Sequence, residues 1–281
     1  MNWFFWILIS VVTTAGANIF QRVLMREKDS DPYGTAVVFQ FATGFLTGLF
    51  ALWSGFVLPP IGRYFWNFLG STFCWGIGSL FLFYAYQALG SSEIAILSAF
   101  GSVVTIITSI LFLGERFTIE KTVGTVLVLS SILIISRKKG GLSFGKGTIF
   151  ALIATALYGL AVTNDAFILR TYNAISYTSV ILFLPGFLLI ALRPKSVRSF
   201  ARLTQKKFSK NMALLGIFYS VQAVAYYVAL QRGTASQVAP IYKANIILTV
   251  LLAMVFLKEK DHKWSKLLST VLVTIGVLLI K

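Results

Sequence analysis

This chain of 281 residues is poor in almost everything that reactive or soluble chemistry uses. It has one cysteine, Cys74, and one histidine, His262, so neither a disulfide framework nor a Cys/His metal cluster can be built. The same scarcity leaves almost no room for thiol catalysis or a His-dependent triad. Nine acidic residues face 25 basic ones, and charged residues make up only 12% of the chain, against about 25% in a soluble domain. What the chain has instead is apolar surface, 57% of its residues. Apolar runs of about 17–25 residues recur along its whole length, each long enough to cross roughly 30 Å of hydrocarbon. The sequence therefore predicts an all-α polytopic membrane protein.

The net charge of +16 would suit nucleic acid in a soluble protein. Here the basic residues fall in short gaps between apolar runs, where they set topology, and no basic patch long enough to track a phosphate backbone remains. Nucleic acid is therefore excluded as a partner; membrane lipids and a small-molecule substrate are expected, and no metal or cofactor is indicated. The first apolar run reads as a span and not as a cleaved leader, because Met1-Asn2 is not basic and apolar residues continue past Ala15-Gly16-Ala17 to Leu24.

Ten spans are expected, at 3–24, 34–58, 63–89, 92–113, 119–136, 147–169, 175–192, 211–231, 235–257 and 264–280. Lipid offers no partner for a free N–H or C=O, so each must be helical. A basic, glycine-containing gap at 138–146 divides the chain into residues 1–137 and 147–281. Sliding the chain by 144 residues pairs 85–137 with 229–281 without a gap. Eight of the 53 pairs are identical, and the polar landmarks coincide: Gln87 with Gln231, Ser92 with Ser236, Glu115 with Glu259. Five spans per half is an odd number, so the halves lie in opposite orientations. Inverted repeats of this kind recur in secondary transporters, with the substrate site near the midplane between them.

The stretches that carry the repeat also carry a family resemblance. Ala85-Tyr-Gln-Ala-Leu-Gly-Ser-Ser-Glu-Ile-Ala and Phe112-Leu-Gly-Glu-Arg in the first half resemble the EamA domains of the drug/metabolite transporter superfamily. So do Ala229-Leu-Gln-Arg-Gly-Thr-Ala-Ser-Gln-Val-Ala-Pro240 and Phe256-Leu-Lys-Glu-Lys in the second. The resemblance implies a transporter with a central cavity between two five-helix repeats. Family members move amino acids, other metabolites, drugs, sugar phosphates or nucleotide sugars.

Gaps after the odd-numbered spans, with the adjoining span ends, hold 18 basic residues, and those after the even-numbered spans hold six. By the positive-inside rule both termini lie outside, in what is expected to be a prokaryotic inner membrane. The family resemblance implies termini inside for many relatives; the charge bias points the other way.

Lys243 is the sharpest single feature. A lysine near the centre of a span costs about 2.5–3.5 kcal/mol on insertion, so it should meet a partner or a wet cavity. It fits a cation for a substrate carboxylate or phosphate, and Tyr242 and Asn245 flank it. Asp165, towards the far end of span 6, is its natural counter-ion, or else an end-of-helix carboxylate in water. Asn18, Gln222 and Asn245 are the amides nearest midplane and candidates for the cavity; Gln21 and Gln40 read as interhelical links. Trp75, Tyr84, Tyr219 and Tyr226 lie deeper than an interfacial aromatic belt and are candidate lining. Pro185-Gly186 predicts a hinge in span 7 and Pro240 a kink in span 9. Gly44-Phe-Leu-Thr-Gly48 reads as a close helix contact, and Gly76-Ile-Gly78 lacks the context of a nucleotide fingerprint. Glu115 and Glu259 read as locally paired charges beside Arg116 and Lys260.

The expected function is secondary transport of a small anionic or zwitterionic metabolite by alternating access. A lipid flippase and an organic-cation exporter with a structural Lys243 are the alternatives. One chain can enclose the site, so a monomer suffices, and a homodimer is equally compatible.

Overall fold

A computed structural model describes residues 3–27, 29–113, 118–135, 137–138, 141–142, 144–232, 242–259 and 262–279. The helices are α1 (Trp3–Met25), α2 (Pro32–Trp53), α3 (Phe65–Ala88), α4 (Ser91–Leu97), α5 (Phe100–Leu113) and α6 (Ile119–Ile135) in the first part. They continue as α7 (Lys146–Leu169), α8 (Ala174–Leu192), a 3₁₀ helix (Pro194–Thr204), α9 (Lys206–Arg232), α10 (Asn245–Phe256) and α11 (Lys263–Leu279). A two-residue antiparallel ladder, β1 (Arg137–Lys138) on β2 (Gly141–Leu142), lies between α6 and α7.

Seven helical stretches among the described residues are long and apolar enough to cross a membrane; α4 and α5 together form one of them, over Ser91–Phe112. Thr122–Ile135 and Asn245–Phe256 are apolar but shorter. Large apolar side chains such as Phe45, Leu52, Leu111, Phe112, Val255 and Phe256 stay exposed. Water would not tolerate so many on a folded domain; lipid does.

The helices pair as α1 with α9, α3 with α7, α2 with α8, α6 with α11, α5 with α7 and α1 with α10. Backbones approach closely where side chains are absent. A Cβ on Gly159 would stand 2.6 Å from the Gly101 carbonyl oxygen, so α5 and α7 touch through their main chains. Gly44 meets the Phe183 Cα at 2.8 Å in the same sense, whereas Gly48 faces open space. Only the first glycine of the expected GxxxG contact therefore packs.

One span changes backbone pattern within its length, and a similar turn precedes α10. Between α4 and α5, Ala99 N–H donates to the Ile96 carbonyl at 3.2 Å and Gly101 N–H to the Ser98 carbonyl at 3.1 Å, tight three-residue turns that interrupt the α pattern. In the second half, Lys243 and Ala244 form a turn before α10, with Ile246 N–H donating to the Lys243 carbonyl at 3.0 Å. The first break was not expected from the sequence. The expected kink at Pro240 lies outside the described residues. Pro185 and Gly186 are buried within α8, which continues through them, so the pair does not divide the helix; Gly186 instead leaves room for the ring of Phe41.

Loops gather at two ends. At one, Gln87 Nε2 donates to the Ser30 carbonyl (3.0 Å), Ser199 hydroxyl meets Asp31 Oδ2 (3.4 Å), and Lys207 pairs with Glu27. At the other, Val57 N–H donates to the Ser176 hydroxyl (3.2 Å), and the Tyr172 hydroxyl to the Val57 carbonyl. Most basic gaps belong to the first end.

Candidate functional site

Asp165 is buried in the bundle and, among the described residues, has no lysine partner. It is 1% exposed, and its carboxylate accepts four hydrogen bonds. Ser71 (2.6 Å) and Tyr177 (2.6 Å) donate to Oδ1; Trp75 Nε1 (2.9 Å) and Tyr227 (2.6 Å) donate to Oδ2. One carboxylate thus ties α3, α7, α8 and α9. Asn164 braces the arrangement from the next position, donating to Ser71 (2.6 Å) and to the Asn67 carbonyl (2.8 Å). Both buried carboxyl oxygens are thus satisfied by hydrogen bonds without a cation.

Lys243 lies in the turn just before α10. It is partly exposed, and its ammonium sits 5.9 Å from the Tyr242 ring centroid. The ion pairs among the described residues are Lys207–Glu27 and Lys266–Glu259, so the expected Lys243–Asp165 pair is replaced by the hydroxyl and indole donors just described. An aromatic row connects the two charges: Tyr242 against Tyr226 (4.6 Å between centroids), Tyr226 against Tyr227 (5.8 Å), and Tyr227 on Asp165. Lys243 directly precedes α10, whose N-cap Ala244 offers no side-chain cap. An ammonium and the positive end of a helix dipole therefore share one place, about 20 Å along the axis from Phe256.

The amides converge nearby. Gln222 Oε1 accepts from the Thr14 hydroxyl (3.1 Å) and the Tyr242 hydroxyl (3.5 Å), joining α1, α9 and the turn before α10. Asn245 Nδ2 donates to the Tyr242 carbonyl at 2.6 Å and Asn18 Nδ2 to Thr249 at 3.1 Å. Gln40 donates to Ser79 at 2.8 Å, the interhelical link expected of it. Trp75 also stacks on Tyr158 (4.8 Å), and Tyr219 stands edge-on to Phe39 (4.7 Å). Tyr84 is placed differently, against Phe150 (5.5 Å).

Ser71, Tyr158, Tyr177 and Tyr227 were not singled out from sequence. The spacing Asn67, Ser71, Trp75, Ser79 does put four polar or polar-tipped residues on one face of α3, a signal that was there to use.

Glu259 is a cap. Its carboxylate accepts from the Ser91 N–H (2.8 Å) and the Ser92 N–H (3.1 Å) and hydroxyl (2.8 Å) at the start of α4, with Lys266 at 3.7 Å. Glu115, Arg116 and Lys260 lie outside the described residues. Among those described, no cluster of three His, Cys, Asp or Glu could hold a metal.

These features define a multi-pass α-helical integral membrane protein with polar side chains inside its bundle. Residues 1–137 and 145–281 both match the EamA-like transporter family, and the chain belongs to that family. An uncharacterized transporter of Archaeoglobus fulgidus is 26% identical over 69% of this chain and 71% of its own length. A Lactiplantibacillus plantarum protein named for sugar uptake is 35% identical, over only 36% of this chain and 34% of its own. One solved crystal structure superposes with a TM-score of 0.64 over 98% of this chain and 95% of that one, at 14% identity, which shows the fold alone.

Proposed function

We propose that this protein is a secondary transporter whose solute carries a carboxylate or phosphate recognised by Lys243. The observation that carries the reading is the position of that lysine: partly exposed, without a carboxylate partner among the described residues, at the N-terminus of the short apolar helix α10. Helix N-termini of interrupted spans recur as anion sites in transporters. Tyr242 and Tyr226 supply faces for the rest of the solute, and Gln222 and Asn245 supply polar atoms that fix its orientation. Asp165 is the tie that holds α7, α8 and α9 against α3 while the solute is bound.

Alternating access between inverted five-span halves of a ten-span chain is the mechanism proposed. Exchange of the halves turns α1–α9 packing into α3–α7 packing, and α5–α7 into α1–α10, while α2–α8 and α6–α11 map onto themselves. That correspondence supports two equivalent halves, divided near 138–146. The basic end is assigned to the cytoplasm and both termini to the opposite side, on the charge count.

The test is a thermal-shift screen of purified wild type and Lys243→Met against carboxylates, amino acids, phosphates, sugars and organic cations. A bound solute at 100 times its Kd stabilises by about 2.7 kcal/mol. An anionic solute that stabilises wild type and loses at least about tenfold affinity in Lys243→Met is the expected result. A second reading, a neutral sugar held on aromatic faces, draws on the name of the Lactiplantibacillus plantarum relative. A sugar that stabilises both proteins equally would establish it and overturn the first.

A further inference from the structure

A second polar pocket lies away from the turn before α10, at the basic end of the molecule. It is a cavity of about 290 Å³ between the start of α2 and the 3₁₀ helix that joins α8 to α9. Four cations line it, Arg193, Lys195, Arg198 and Arg202, against the single carboxylate of Asp31. Two of the four are already engaged. Arg193 lies over the Tyr33 ring (5.2 Å), and Arg202 over Phe208 (4.4 Å) while donating to Thr35 (3.2 Å). Lys195 and Arg198 are exposed, and neither belongs to an ion pair among the described residues.

The decisive atom is the hydroxyl of Ser196. It lines the same cavity, its residue is only 5% exposed, and it has no hydrogen-bond partner among the described residues. A buried polar atom left unsatisfied is rare and calls for a ligand. Here that ligand must accept a hydrogen bond and carry negative charge. The surroundings say where it comes from. Leu192, Val197 and Leu203 are exposed apolar side chains on and beside the 3₁₀ helix, whose arginines and lysine share the segment with them. Basic amphipathic segments of this kind lie in the headgroup layer and attract anionic lipid. Gly34 completes the pocket: a Cβ there would collide with Ser199 and Asp31, so only glycine lets the 3₁₀ helix settle on α2.

We propose that this pocket binds the phosphate group of an anionic phospholipid, with Ser196 donating to a phosphate oxygen and Lys195 and Arg198 supplying the charge. The site is separate from the one around Lys243 and does not depend on the transported solute.

The experiment measures unfolding temperature of the full chain in neutral detergent, with phosphatidylglycerol or phosphatidylcholine of identical acyl chains, or inorganic phosphate. Wild type, Ser196→Ala and Lys195→Gln/Arg198→Gln are compared, and native mass spectrometry counts the lipids retained. Phosphatidylglycerol is expected to stabilise wild type and stay bound as one tight lipid. The double variant should lose that lipid, and Ser196→Ala should bind it about fivefold more weakly. All three proteins should unfold at the same temperature without lipid, because Lys195 and Arg198 are exposed and Ser196 has no partner to lose. Equal stabilisation of wild type and double variant, or equal effects of the two lipids, would overturn the proposal. If millimolar inorganic phosphate alone reproduced the shift, the site would be one for a soluble anion, and the lipid assignment would fall.

Discussion

Asp165 is where a single atom group carries the most structure. Hydrogen bonds to a charged acceptor contribute about 1.5–3 kcal/mol each, and removing the acceptor leaves its donors unpaired. Tyr227→Phe or Tyr177→Phe should therefore lower stability by about 1–3 kcal/mol, and Asp165→Ala by more, since four donors lose their partner at once. Thermal unfolding in detergent reads the series, and a Tyr227→Phe protein as stable as wild type would mean the tie is dispensable. Lys243 and Asp165 were both legible in the sequence, because a charge within an apolar run has to be accounted for. Of the Asp165 partners, Trp75 was named and Ser71 shares its face of α3, but that they meet this carboxylate was not legible. Serine and tyrosine are unremarkable in a span, and only folding shows that residues 71, 75, 177 and 227 reach one carboxylate.

At the level of helices, apolar length announced the spans, and most observed helices fall within a few residues of them. The interruptions were harder to read. Ser98 and Ala99 include neither proline nor glycine, so local chemistry gave no sign that the backbone tightens there. In α8, Pro185 stands inside a helix that continues through it. Close helix contacts give a sharper expectation. Gly159→Val should destabilise by about 1–3 kcal/mol through forced separation of α5 and α7, while Gly48→Ala, facing open space, should be neutral. The two unfolding temperatures, measured side by side, check the contact. Glu259→Gln should weaken the cap on α4 by about 0.5–2 kcal/mol, seen as faster amide exchange at Ser91 and Ser92.

At the scale of the molecule, the basic end is stitched together from distant segments. Glu27 just past α1 pairs with Lys207 near the start of α9, and that ammonium holds the Glu27 carboxyl below its ordinary range. A depressed carboxylate contributes stability above its unfolded pKa and loses it as pH falls through the folded one. The tie should therefore persist at neutral pH and open on acidification below the usual carboxylate range. A spin-label distance between positions 27 and 207 cannot be used without removing the pair, so labels at 29 and 210 should report the widening; a Glu27→Gln protein should already be wide at neutral pH. Sidedness has its own check. Lys195→Cys in a Cys74→Ser background should react with impermeant maleimide only from the cytoplasmic face, and labelling from outside would reverse the proposed orientation.

The turns before α5 and before α10 share one hydrogen bond, Ser102 N–H to the Ala99 carbonyl and Ile246 N–H to the Lys243 carbonyl (3.0 Å each), and differ in chemistry. Ala99, at the first, is fully buried, while its counterpart 144 residues on is Lys243, charged and partly exposed. The two stretches that match the family thus differ in charge at one corresponding position. On the function proposed above, a solute held by the second half meets an ammonium, and at the matching place in the first half stands a buried methyl group. Under the proposed exchange of halves the scaffold is restored and this charge is not, so Lys243 would give the two orientations different preferences.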